Sequence, residues 1–187
     1  LLSRLGRPLD SLRHTTVATL SMPLARKDDA LLQVCAKSLL RAGAKWGAQV
    51  GLMNTGGVRD DLPAGSVTRE DVLKVAPFDN TVIVLTLTGA ELAKTVQILS
   101  SHHGHRTGLA GAEVLRDADG GFMGIRVDGA KHELTDSDTV RVATNSYLAS
   151  GGDGCAALKK AGGFRIDTGV RDADALADWL GIAYPVK

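Results

Sequence analysis

Three short stretches carry side chains whose types and spacing suit the recognition of a polar ligand. In Asn54-Thr55-Gly56-Gly57-Val58-Arg59 an apolar run empties into two glycines and an arginine. The glycines let the main chain turn tightly and come close to a ligand, and Arg59 offers a planar fork of donors matched to phosphate oxygens. An ordinary glycine turn with a solvated Arg has the same letters. In Ala76-Pro77-Phe78-Asp79-Asn80, one of only three Phe residues stands in a Pro-containing loop. Such a Phe either packs into the core or offers a face on which a flat heterocycle stacks, an interaction worth roughly 1–3 kcal/mol per base in single-stranded nucleic-acid binders. In Val142-Ala143-Thr144-Asn145-Ser146-Tyr147-Leu148-Ala149-Ser150-Gly151-Gly152-Asp153-Gly154, Tyr147 precedes Asp153 by six positions, and the glycine pair between them can turn both side chains into one pocket. Asp153 can accept hydrogen bonds from a vicinal diol, as a carboxylate holds ribose in dinucleotide folds. It can equally cap a helix beginning at Gly154, and the two roles are compatible.

Other reactive groups make poorer sites. His102, His103 and His105 lie in a loop flanked by Ser and Gly with no paired carboxylate nearby, which argues against a metal centre there. Ser146 and Ser150 have no local His or acid, and the G-x-S-x-G pattern is absent. Cys35 and Cys155, the two cysteines, are far apart and fit neither a zinc spacing nor a disulfide framework; they read as two buried thiols, with a single bridge as the alternative. The residues point to binding more than to reaction.

These stretches need elements to hold them. Thr15–Met22 is β-rich and alternating, and Asp28–Ala44 repeats apolar residues at helical spacing with Asp28 or Asp29 as cap. Val50–Met53 reads as a short buried strand. Thr68-Arg69-Glu70-Asp71 resembles a capping box for a helix through Val75, which Pro77 stops. Thr81–Thr88 is the strongest strand signal, followed by a helix to about Leu99. Ser100–Gly111 reads as a polar surface loop. Glu113–Arg116 and Phe122–Val127 form a hairpin across Asp117-Ala118-Asp119-Gly120-Gly121, turn residues that tolerate positive φ. Thr139–Thr144 is a strand, and Asp153–Ala161 and Asp172–Leu180 are helices. Strands and helices interleave around a hairpin, which implies an α+β class: a single domain with a mixed sheet and flanking helices.

The 187 residues, 44% of them hydrophobic, suffice for one well-cored domain with a short extension. With 22 basic and 21 acidic residues and no long run of either sign, the electrostatic footprint of a nucleic-acid binder is missing. No apolar run reaches the ~20 residues of a membrane span, and Leu1–Leu5 lack the features of a cleavable signal. The absence of an initiator Met suggests a piece of a longer protein. Residues 1–14 read as the end of an inter-domain linker and residues 15–187 as the domain.

Taken in order, Asn54–Arg59, Pro77-Phe78-Asp79-Asn80, Leu87-Thr88-Gly89-Ala90-Glu91-Leu92 and Thr144–Gly154 resemble the C-terminal domain of the 5'-nucleotidase/UDP-sugar hydrolase family, from roughly Val17 to Leu180. The resemblance implies a substrate-binding domain whose N-terminal partner, a metallophosphoesterase domain of the same polypeptide, carries two divalent metals and hydrolyses a nucleotide; it also implies export, to the periplasm or outside the cell. By position, Phe78 and Tyr147 resemble the two aromatics that sandwich the base, the second often Phe in relatives. Asp153 resembles the residue that holds the ribose hydroxyls, Asn54 a polar contact near the nucleoside, and Arg59 an arginine near the phosphate. Arg26, ahead of Asp29, resembles the family's other arginine. The helix after it departs from the usual Leu-Gly-Asn-Leu pattern, reading Leu31-Leu32-Gln33-Val34, and Cys155 stands where an aromatic is common. No cofactor is expected in this chain, which by itself is not expected to hydrolyse anything. Relatives acting on cyclic nucleotides, nucleotide sugars or thiosulfate esters share the scaffold, as would a noncatalytic interaction module; the paired aromatics favour a nucleobase over a small sulfur compound.

Overall fold

Val82 and Val84 face one way along Thr81–Thr88 and Ile83, Leu85 and Leu87 face the other, and all five are buried. A strand apolar on both faces demands cover on both sides. A computed structural model of the chain, which describes residues 13–101 and 106–186, provides it. The elements in chain order are β1 (Thr16–Leu20), α1 (Asp29–Gly43), β2 (Val50–Asn54), β3 (Gly65–Thr68), α2 (Arg69–Val75), β4 (Thr81–Thr88), α3 (Gly89–Ser101), β5 (Thr107–Ala110), β6 (Ala112–Arg116), β7 (Phe122–Val127), β8 (Thr139–Asn145), α4 (Ser146–Ala149), α5 (Ala156–Lys160), β9 (Arg165–Arg171) and α6 (Asp172–Ala183).

A five-stranded mixed sheet, in the order β5-β2-β8-β4-β9, forms the middle layer. β2 and β8 run parallel, and the other three pairings are antiparallel. On one face, α1, α2 and α6 pack with the small β1–β3 ribbon around Leu31, Leu39, Val72, Val84 and Leu176. On the other, α3, α4, α5 and the β6–β7 hairpin enclose Leu52, Leu85, Leu92, Leu148 and Leu158. The layers touch closely: a Cβ on Gly51 of β2 would sit 2.1 Å from the Ala36 carbonyl oxygen of α1. This is an α+β domain with a mixed sheet and flanking helices.

Local chemistry sets the boundaries. Thr68 and Asp71 form a capping box at α2, and Thr88 with Glu91 makes the equivalent pair at α3, where the Thr88 N–H donates to Glu91 Oε2 at 2.8 Å. Asp28 holds the position before α1 but makes no side-chain capping bond. Arg171 grips Asp174 and Asp79, so β9, α6 and the loop before β4 are tied together.

Two expectations from sequence need correction, and two strands carry no sequence signal of their own. Thr107–Ala110 is a strand, not part of a loop, because the edge of β2 offers it a complete antiparallel register from Gly51 to Asn54. Arg165–Arg171 is an edge strand whose residues alternate between exposed and half-buried, too polar to show a strand pattern. Gly65–Thr68 forms its strand only by pairing with β1. The helix expected from Asp153 begins at Ala156, with Cys155 as its N-cap, and Asp153 instead sits in a short 3-10 turn, so it is not that helix's cap. Cys35 and Cys155 are free and buried, and burial pushes their thiols up to about 12 and about 11, out of the reactive range. The histidine cluster and the linker residues up to 12 lie outside the described residues.

Candidate functional site

Parallel pairing of β2 with β8 brings their last residues, Asn54 and Asn145, to the same end of the sheet. β4 runs against β8, so the residues just before it, Phe78 to Asn80, arrive there too. A cleft opens at this end, outside the carboxyl ends of two parallel strands, where ligands of open sheets characteristically bind. Its volume is about 490 Å³, and Asn54, Gly56, Gly57, Arg59, Phe78, Asn80, Asn145, Tyr147 and Asp153 line it. That size lies within the range of small-molecule sites.

Five of the six residues singled out from sequence therefore meet in one cleft: Asn54, Arg59, Phe78, Tyr147 and Asp153. The sixth, Arg26, lies in an adjoining cleft of about 230 Å³ with Lys27, Thr55 and Arg106, which shares Gly56 and Arg59 with the first. Arg26 Nη1 donates to the Arg59 carbonyl at 3.1 Å, and its own N–H donates to Asp61 Oδ1 at 2.7 Å. Arg106 donates to the carbonyls of Arg26 and Lys27, tying down the segment before α1.

Phe78 and Tyr147 are 52% and 48% exposed, so neither ring is core filler. The Arg59 guanidinium lies 5.6 Å from the centre of the Phe78 ring, a cation–π distance. The loop carrying Phe78 is anchored just behind it. Asp79 adopts φ 55 and receives Arg171 Nη1 at 3.3 Å, while Asn80 Oδ1 accepts from Ser146 Oγ at 3.1 Å. Across the cleft, Gly152 is required by the ring of Tyr147: a Cβ there would lie 2.4 Å from Cε1 and 2.6 Å from Cζ.

The polar floor is one chain of hydrogen bonds. Asn145 caps α4 by accepting the Leu148 N–H at 2.8 Å, and its Nδ2 donates to Asn54 Oδ1 at 3.1 Å. Asn54 Nδ2 then donates to Asp153 Oδ2 at 2.7 Å, and Tyr147 donates its hydroxyl proton to Asp153 Oδ1 at 2.8 Å. The bond to Asp153 holds the Tyr147 phenol above its ordinary pKa. Asn54 and Asn145 are almost wholly buried, so their amides are oriented by each other rather than by water. Sequence reading gave no role to Asn80 or Asn145. An Asn that closes a strand and stands three residues before an apolar helix position is the capping signal that marks Asn145.

Arranged this way, the cleft offers two exposed rings, a carboxylate with spare acceptor capacity and a guanidinium at its rim. That set suits a ligand with a flat heterocycle, vicinal hydroxyls and an anionic end. Among the described residues no group of three His, Cys, Asp or Glu could hold a metal ion, and no helix is long and apolar enough to cross a membrane.

Residues 12–160 match the family model for the 5'-nucleotidase C-terminal domain. The chain is 34% identical over 136 residues to protein UshA of Yersinia enterocolitica, covering 72% of this chain and 24% of that protein. To a 5'-nucleotidase of Vibrio cholerae it is 33% identical over 142 residues, covering 74% and 25%. It thus spans about a quarter of the length of the curated relatives it matches. Among solved structures, a 5'-nucleotidase precursor from Thermus thermophilus superposes with a TM-score of 0.85 at 28% identity, covering 100% of this chain and 40% of that one. The NAD nucleotidase of Haemophilus influenzae shares the fold, with a TM-score of 0.77 at 19% identity over 98% of this chain and 38% of that one.

Proposed function

The chain belongs to the family of 5'-nucleotidase C-terminal domains, and from that premise we propose that its cleft binds the nucleoside part of a nucleotide and presents the phosphate to a hydrolytic partner domain. The observation that carries this reading is the convergence of Phe78, Tyr147 and Asp153 on one cleft with Arg59 at its rim. The base stacks between the two rings, the sugar hydroxyls donate to Asp153, and Arg59 faces the phosphate. Asn54 orients Asp153 from beneath.

The parent protein would be a phosphoric ester hydrolase acting in the periplasm or outside the cell, with an N-terminal metallophosphoesterase domain in the same polypeptide. The relatives' greater length supports such a partner. Two divalent metals in that domain would supply an activated water and Lewis acidity at the phosphate oxygens. The residues of this chain contribute something different, proximity and orientation. A substrate held by base, sugar and phosphate loses its rotational freedom before the chemical step.

Titration calorimetry of the chain with adenosine and with AMP tests the proposal. Both should bind, weakly because only one wall of the full site is present, and Phe78→Ala should lower the affinity by about 1–3 kcal/mol, some five- to 150-fold. Failure of every nucleoside to bind would leave the scaffold without the proposed role.

A further inference from the structure

The Asp153 carboxylate is gripped from two sides in the free cleft. Asn54 Nδ2 donates to Oδ2 at 2.7 Å, Tyr147 donates its hydroxyl to Oδ1 at 2.8 Å, and the Asp153 N–H points back at the same phenol oxygen at 3.4 Å. Asp153 also adopts φ 52, ψ 27, a left-handed conformation uncommon for a residue with a Cβ. Glycines at φ 96 and φ 79 stand two residues before it and directly after it. Within that backbone the rotation of the carboxylate is set by its two donors, one on each oxygen.

The phenol hydroxyl is not needed for the ring itself. The ring is placed by its contact with Gly152, and a phenylalanine would present the same face to a base. Each carboxylate oxygen accepts about two hydrogen bonds, so with both donors in place each keeps one acceptor position. Two neighbouring hydroxyls on a five-membered sugar, one to each oxygen, match that remaining capacity.

Resting on the nucleoside reading above, we infer that the Tyr147 hydroxyl is a positioning group that strengthens the preference for a sugar with a cis-diol over one that lacks both hydroxyls. It holds Asp153 ready for a cis-diol, separately from any stacking by the ring. Were the hydroxyl instead a plug that must swing away before sugar enters, its removal would strengthen binding.

The test is Tyr147→Phe in the chain, titrated with adenosine and with 2',3'-dideoxyadenosine, the ratio of the two affinities being the readout. Tyr147 is half exposed, so the substitution should leave the melting temperature in place. Adenosine should bind about three- to tenfold more weakly while the dideoxynucleoside is unaffected, the size of one ordinary hydrogen bond. In an Asp153→Ala background the same substitution should change neither ligand. An unchanged or increased ratio in a chain that still binds adenosine overturns the inference alone. If the unaltered chain binds neither nucleoside, the nucleoside reading falls and takes the inference with it.

Discussion

Arg59 holds two positions at once, 5.6 Å from the Phe78 ring and in the wall shared by the two clefts. If it faces the phosphate, Arg59→Ala should weaken AMP binding about tenfold or more and adenosine by a factor of about two or three, a contrast calorimetry can read. Equal losses for the two ligands would mean that Arg59 merely stiffens Phe78. At the start of α6, burial pushes the Asp172 carboxyl up to about 6, against the pull of hydrogen bonds from Asn80 and the Ala173 N–H. Its folded-state pKa lies above the unfolded value, so the native state binds the proton more tightly. The stability this contributes is fully present below about pH 4 and is lost as pH rises through about 6. Asp172→Asn should therefore flatten the dependence of unfolding free energy on pH between about 4 and 7, by up to about 3 kcal/mol. A dependence unchanged in the variant would show that another group carries it.

The elements that position these residues explain what could be read from sequence and what could not. Thr81–Thr88 announces itself because its own side chains are apolar on both faces, and α1 because its apolar positions repeat at helical spacing. β9 and β5 do not, since one is edge-like and the other is half Gly and Ala; each becomes a strand through a neighbour's hydrogen bonds. In the candidate site, the family resemblance rather than residue type alone singled out Phe78, Tyr147 and Asp153, and all three line one cleft. The site was not legible where it rests on burial, as with Asn145, whose cap and amide chain exist only once β2 lies beside β8. The capping role open to Asp153 goes unused for a different reason: Gly151 and Gly154, both at positive φ, flank a short 3-10 turn, and the helix begins only at Ala156. Two substitutions test this scaffolding. Gly51→Ala sets a methyl against the Ala36 carbonyl and should cost about 3 kcal/mol in chemical denaturation, with loss of that cost ruling out the close packing of α1 on β2. Gly152→Ala should displace the Tyr147 ring and weaken adenosine binding several-fold with little change in stability, because the clash is with a half-exposed side chain.

At the scale of the molecule, a three-layer scaffold gathers loops from Asn54, Phe78 and Tyr147 onto one end of a mixed sheet and leaves their rings turned outward. Exposed aromatic surface gathered at one place is the mark of an interaction or ligand-binding site. The cleft holds recognition groups, and the 5'-nucleotidases the chain is similar to are longer than it is. The central claim is that the two rings and Asp153 together receive a nucleoside. The most direct measurement is a two-dimensional NMR titration of the isotope-labelled chain with adenosine. Saturable shifts confined to Asn54–Arg59, Phe78–Asn80 and Tyr147–Gly154 are expected; shifts centred elsewhere, or none at saturating nucleoside, would rule a nucleoside out of this cleft.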